Sequence, residues 1–170
     1  MVRSNWLPHN EVRERMTEIV VDTNVFVHSC NPNTEYFERS SLFVGQLAGS
    51  DCILCVDEGL DPDEAQNRSR IWSEYRAHIP PESLAVEILT YMILSGRVKD
   101  WPTKVPASIH SSVRKRVADP TDIVFVKVSY NSASECLVSH DFAAFPVEVR
   151  DHFRAENIAN VIDCYQAPGL

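Results

Sequence analysis

Apolar positions along the chain fall into two rhythms. Four short, continuous runs, Glu18 to Val21, Cys52 to Val56, Glu135 to Ser139 and Ile158 to Tyr165, predict strands buried on both faces. Between them the apolar residues recur every three or four positions. Phe37, Leu42, Phe43 and Leu47 mark a helix over Glu35 to Leu47, and Ile71, Trp72 and Tyr75 mark another over Ser69 to His78. Glu82 to Ser95 is a third helical pattern, stopped by Gly96, and Pro146 to Arg154 is a short fourth. Asp119-Pro120-Thr121-Asp122 is a strong helix start, with an N-cap, a proline at the first position and an acid in the first turn. That helix runs to about Ser132. Thr23 to His28 continues apolar at intervals, Asp57 to Asn67 reads as an acidic loop, and Trp101 to Pro106 as extended chain or loop. Ser108 to Val117 fits neither rhythm. Strands alternating with helices imply an α/β fold, a three-layer α/β/α sandwich around a mainly parallel central sheet.

Length and composition narrow this. At 170 residues, 44% hydrophobic and 24% charged, the chain suits one ordinary globular domain. Residues 1–16 are polar and read as an N-terminal extension ending in a candidate short helix, with the domain spanning 17–170. Apolar runs such as Ala85 to Leu94 are too short and interrupted to cross a membrane, and Met1 to Glu18 lacks the pattern of a signal peptide. A cytoplasmic location is therefore expected. The five cysteines are scattered. Cys52 and Cys55 form a CxxC inside an apolar strand, where alternation sends them to opposite faces, so reduced core thiols are expected rather than a zinc site. The net charge of −8 argues against long-range attraction to nucleic acid. Local basic patches remain at Arg68, Arg70 and Arg76 and at Arg114-Lys115-Arg116, each readable also as a solvated face.

The informative charges are acidic. Two apolar strands each stop at an aspartate, Val20-Val21-Asp22 and Leu137-Val138-Ser139-His140-Asp141. In a parallel sheet these carboxyl ends share one edge, where open α/β sheets bind ligands. Asp22 follows three β-branched core residues, and a carboxylate there is costly unless paired or bound to a cation. Asp119 is explained by capping alone, Asp122 by the helix dipole, and Glu74 by a solvated helix face. A right-handed crossover is expected to start the helix at Asp119 from the opposite edge or a connecting loop, so strand alternation alone does not bring Asp122 to the pair.

Here the sequence resembles the PIN domain family, from about Ile19 onward. Val20-Val21-Asp22-Thr23-Asn24-Val25 is similar to its first motif, an acidic metal ligand with a supporting Thr/Asn. Cys55-Val56-Asp57-Glu58-Gly59 followed by Ile71-Trp72-Ser73-Glu74-Tyr75-Arg76 resembles the second, although the loop Leu60 to Arg70 is longer than usual. Asp119-Pro120-Thr121-Asp122-Ile123-Val124-Phe125 resembles the third, which maps its ligand to Asp122. Leu137-Val138-Ser139-His140-Asp141 resembles the fourth, with His140 in place of a small residue. Each motif alone is weak; their order is specific.

The resemblance implies Asp22, Glu74, Asp122 and Asp141 as ligands of Mg²⁺ or Mn²⁺ and a nuclease hydrolysing phosphodiesters. Asn24 would orient Asp22 or bind through its carbonyl, and Ser139 would hold a metal water or the scissile phosphate. His140 is adjacent and could assist proton transfer, but an exposed or core histidine is the commoner case. It implies RNA ahead of DNA as substrate, and admits a homodimer and a protein inhibitor or antitoxin as partners. Two rivals are a non-catalytic PIN-like scaffold binding RNA or protein, and a haloacid-dehalogenase-type phosphatase. The latter wants a second carboxylate where Asn24 stands.

Overall fold

A computed structural model describes residues 17–167. Along these the order is β1 (Glu18–Val21), α1 (Thr23–Ser29), α2 (Phe37–Gly49), β2 (Ile53–Asp57), α3 (Arg70–His78), α4 (Leu84–Leu94), β3 (Val98–Trp101), α5 (Ala107–Arg116), α6 (Pro120–Asn131), β4 (Cys136–Val138), α7 (Val147–Ala155) and β5 (Asn160–Ile162). The extension over 1–16 and its candidate helix lie outside the described residues.

The five strands form one sheet in the order β3-β2-β1-β4-β5, with every neighbouring pair parallel. Strand order reverses between β1 and β4. Right-handed crossovers therefore place α1 to α4 on one face and α5 to α7 on the other, giving the expected three-layer α/β/α sandwich. Burial on both faces explains the continuous apolar runs. Ile19, Val20, Val21, Leu54, Cys55, Val56, Leu137 and Val138 are almost completely enclosed, each large aliphatic contributing about 1.5–3 kcal/mol. All five cysteines are free thiols, and Cys52 and Cys55 are buried in the core as expected. Burial pushes the Cys55 thiol up to about 12.

Three features depart from the sequence expectation. Strand β3 begins two residues after the Gly96 stop, in a stretch not assigned as strand, and pairs with β2 at Leu54–Val98 through Asp57–Trp101. It is an edge strand with exposed Lys99 and Asp100, so it lacks an apolar run. Thr23 to Ser29 is a helix despite its β-branched content, because Asp22 caps it from the strand end. The ambiguous 108–117 stretch is α5.

The expected edge for the start of α6 is corrected. A helix joining parallel strands runs antiparallel to them, so it starts at the carboxyl edge and returns to the amino edge. Asp119 and Asp122 therefore begin on the same edge as the ends of β1 and β4. The capping itself is as read: Asp119 Oδ1 accepts from the Thr121 amide at 2.7 Å, with Pro120 at the first position and Asp122 in the first turn.

Candidate carboxylate cleft

At the β1/β4 switch point an open cleft of about 350 Å³ is lined by Asp22, Thr23, Asn24, Glu74, His78, Asp122 and Asp141, with Val27 and His28 at its side. Four parts of the fold each deliver one carboxylate. Asp22 ends β1; its amide donates to the Val138 carbonyl at 2.9 Å, fixing it against β4. Asp141 lies just past β4, where its Oδ1 accepts from the Ala143 and Ala144 amides at 3.0 and 2.8 Å.

Glu74 reaches the cleft because α3 is doubly anchored. Buried Asp57, the last residue of β2, accepts from the Ser69 hydroxyl at 2.6 Å and from the Arg70 and Ile71 amides at 2.8 Å each. On the opposite side of α3, fully buried Tyr75 donates its hydroxyl to the Val21 carbonyl. These contacts set the rotation of α3, which sequence periodicity had left open, and turn Glu74 toward Asp22. Asp122 comes from the first turn of α6, whose residues pack on β1, β2 and β4.

Asp22 is held by a closed network. Its Oδ1 accepts from the Asn24 amide at 3.2 Å, and its Oδ2 from Asn24 Nδ2 at 2.8 Å and the Ser139 hydroxyl at 2.6 Å. A carboxylate oxygen has two lone pairs, so Oδ2 is saturated and Oδ1 keeps one open. The other end of the Asn24 side chain is also committed, Oδ1 accepting from the His140 amide at 3.1 Å. Asn24 thus orients Asp22, and its carbonyl keeps a second lone pair open. Ser139, 2% exposed, donates to Asp22 and accepts from the Asp141 amide at 3.0 Å and from Asn24 Nδ2 at 3.4 Å. Its hydroxyl is fully used. It positions two aspartates and is not free to hold a water or a phosphate.

His140 is a core histidine, the commoner of its two readings. It is 4% exposed and does not line the cleft. Its ring lies 4.9 Å from the Tyr36 ring, with Nδ1 3.3 Å from His28 Nδ1 and 3.4 Å from Ser40 Oγ, while Nε2 is buried without a partner. Burial first, then nearby His28 and Arg39, lower it to about 4, so it is a neutral packing group at ordinary pH.

The carboxylates perturb one another. Burial raises Asp22 above the usual range; the Ser139 and Asn24 hydrogen bonds oppose this, and the Asp141 charge adds to it. Burial also raises Glu74, opposed by the nearby Thr23 hydroxyl and by His78 and reinforced by Asp22. Asp122 is pushed up to about 7, by burial and then by the like charges of Asp22, Asp119, Asp141 and Glu74. Among the described residues, no Lys or Arg forms an ion pair with any of the four.

Thr23 and His78 were not foreseen. His78 is one helical turn beyond Glu74, a spacing visible in the sequence. The Thr23 hydroxyl is buried in the cleft wall beside Glu74, whose carboxyl it helps to hold down.

Oxygen donors of this kind suit Mg²⁺ or Mn²⁺. Among the described residues no group of three or more His, Cys, Asp or Glu side chains is gathered closely enough to hold a metal ion. The four carboxylates stand around an open cleft. No helix among the described residues is long and apolar enough to span a membrane. Comparison with protein-family models, curated proteins and solved structures gave no match, so any functional reading rests on the cleft itself.

Proposed function

We propose that the chain is a divalent-cation-dependent nuclease of the PIN-like kind, cutting phosphodiester bonds of nucleic acid, RNA ahead of DNA, in the cytoplasm. One observation carries this reading: four carboxylates from separate elements line one cleft at the switch point of a parallel sheet, and among the described residues none of them is paired with a lysine or arginine.

Like charges at about 5 Å cost roughly 3 kcal/mol per pair at an effective dielectric near 20. A bound cation relieves that repulsion, activates water and stabilises charge on the phosphate in the transition state. The residues present divide the remaining work. Asp22, immobilised by Asn24 and Ser139, offers one open lone pair on Oδ1. Asp141 is oriented by two backbone amides, and Glu74 is adjusted by Thr23 and His78. Asp122, crowded by the other three acids, adds a fourth oxygen donor on the far wall of the cleft. The phosphatase alternative is disfavoured by Asn24, whose amide is consumed in holding Asp22.

The test is cleavage of end-labelled single-stranded RNA and DNA with Mn²⁺, comparing the wild type with Asp22→Asn and Asp141→Asn. Loss of at least 10²-fold in rate on either substitution is expected, the size of effect seen when one electrostatic stabiliser is removed. Undiminished cleavage by both variants would remove the site assignment. No cleavage of any strand by the wild type would favour the scaffold.

A further inference from the structure

The cations flagged in the sequence separate into two groups. Arg76 is committed to Glu64 at 2.8 Å, and Arg116 turns back onto Ser112 at 3.1 Å. Arg68, Arg70 and Arg114 behave differently. With Lys127, which periodicity did not single out, they line two cavities of about 470 and 270 Å³ that share Arg70, Val124 and Lys127 and so form one groove. Among the described residues none of the four cations is ion-paired.

The smaller cavity has Arg70, Arg114, Lys127 and His110 in its walls and no carboxylate. In a chain of net charge −8 this is a concentrated positive surface. In the larger cavity the acids are already occupied. Asp57 holds the start of α3, and Glu58 accepts from the Thr103 amide and hydroxyl at 2.6 and 2.9 Å.

The groove adjoins the carboxylate cleft along the same two helices. Arg70 precedes Glu74 by four residues on α3, a rise of about 6 Å. Asp122 faces the cleft, whereas Ile123, Val124 and Lys127 of the same helix face the groove. A cationic track beside an anionic centre is what a polyanion needs when one of its phosphates is to enter the cleft.

We infer that the groove between α3, α5 and α6 binds the phosphodiester backbone of a nucleic-acid strand, with Arg70, Arg114 and Lys127 each taking a phosphate next to the one in the cleft. The strand's destination rests on the nuclease reading; its binding does not. Overall acidity prevents steering from afar, so affinity comes from contacts inside the groove and falls steeply with salt.

The test is fluorescence anisotropy of a labelled 12-nucleotide oligouridylate on the full chain in EDTA, across 50 to 300 mM salt. Each single-strand phosphate contact contributes about 0.7 to the slope of log K against log salt. The triple variant Arg70→Gln/Arg114→Gln/Lys127→Gln is expected to flatten the slope by about 2 and to weaken binding on the order of 10²-fold at 50 mM. Lys115→Gln, on the same α5 but outside the groove, should bind as the wild type does.

Wild-type affinity and slope in the triple variant, with its fold intact by circular dichroism, would overturn the inference. So would absence of binding by the wild type, or displacement of the strand by uridine monophosphate at equal phosphate concentration. Failure of the two readings is distinguishable. Cation-dependent binding without cleavage in Mn²⁺ sinks the nuclease alone, whereas cleavage retained with unaltered binding in the triple variant sinks the groove alone.

Discussion

Replacing Asp122 by asparagine should stabilise the metal-free protein. Its carboxyl titrates near 3.8 in the unfolded chain and about 7 in the fold. A raised carboxyl favours the fold while protonated, and that advantage is lost as pH rises from about 4 through 7. Each decade is worth 1.36 kcal/mol, so the interval from 3.8 to about 7 sets a ceiling near 4 kcal/mol. Solvent reaches part of the side chain and screens its neighbours, so about half, roughly 2 kcal/mol, is expected. Thermal melts in EDTA at pH 8 should show Asp122→Asn about 4–8 °C above the wild type, and at pH 4 the two should coincide. Adding Mn²⁺ at about 100 times its Kd should raise the wild type by about 2.7 kcal/mol and reverse the order, because the variant has lost a ligand. Equal melting at pH 8, or an equal gain at both pH values, would refute the charge-crowding account of the cleft.

Three further outcomes follow from local geometry. Ser139→Ala removes the strongest donor to buried Asp22 and should cost about 1.5–3 kcal/mol in urea midpoints at pH 7, the loss shrinking toward acid as Asp22 takes up a proton. An unchanged midpoint would mean that the network holds nothing in place. Gly59→Ala meets a φ of +92° and an added Cβ 2.9 Å from Arg68 Cβ, so about 1–3 kcal/mol should be lost. Gly45→Ala in α2, with open space around the new carbon, should gain about 0.5–1 kcal/mol by the same measurement.

The parts legible in the sequence were those whose signals are local. β1, β2 and β4 read as strands because both faces are buried, and the start of α6 because Asp119 and Pro120 are capping chemistry. Boundaries slipped by a residue or two; the run Ile158 to Tyr165 keeps only Asn160–Ile162 as strand. β3 was hidden because an edge strand with Lys99 and Asp100 outward has no apolar run. The facing of Glu74 was illegible because it is set by Asp57 and Tyr75, which act through β2 and β1. Asp122 needed the direction of the crossover, which spacing alone does not state. The choice between the two readings of His140 was left open by the sequence because its surroundings, His28, Tyr36 and Ser40, lie about a hundred residues away. Asn24 orients Asp22, one of the two roles read for it, whereas the double hold of Ser139 on Asp22 and Asp141 depends on donors and acceptors that spacing does not state.

The amide of Asn24 joins residues more than a hundred positions apart, gripping Asp22 at one end and the His140 backbone at the other. During synthesis Asp22, Glu74 and Asp122 leave the ribosome before anything exists to close that latch. Until β4 inserts beside β1, Asp22 lacks the Ser139 hydroxyl and Asp141 is absent from the edge. The cleft therefore cannot be complete in any nascent fragment that ends before Asp141.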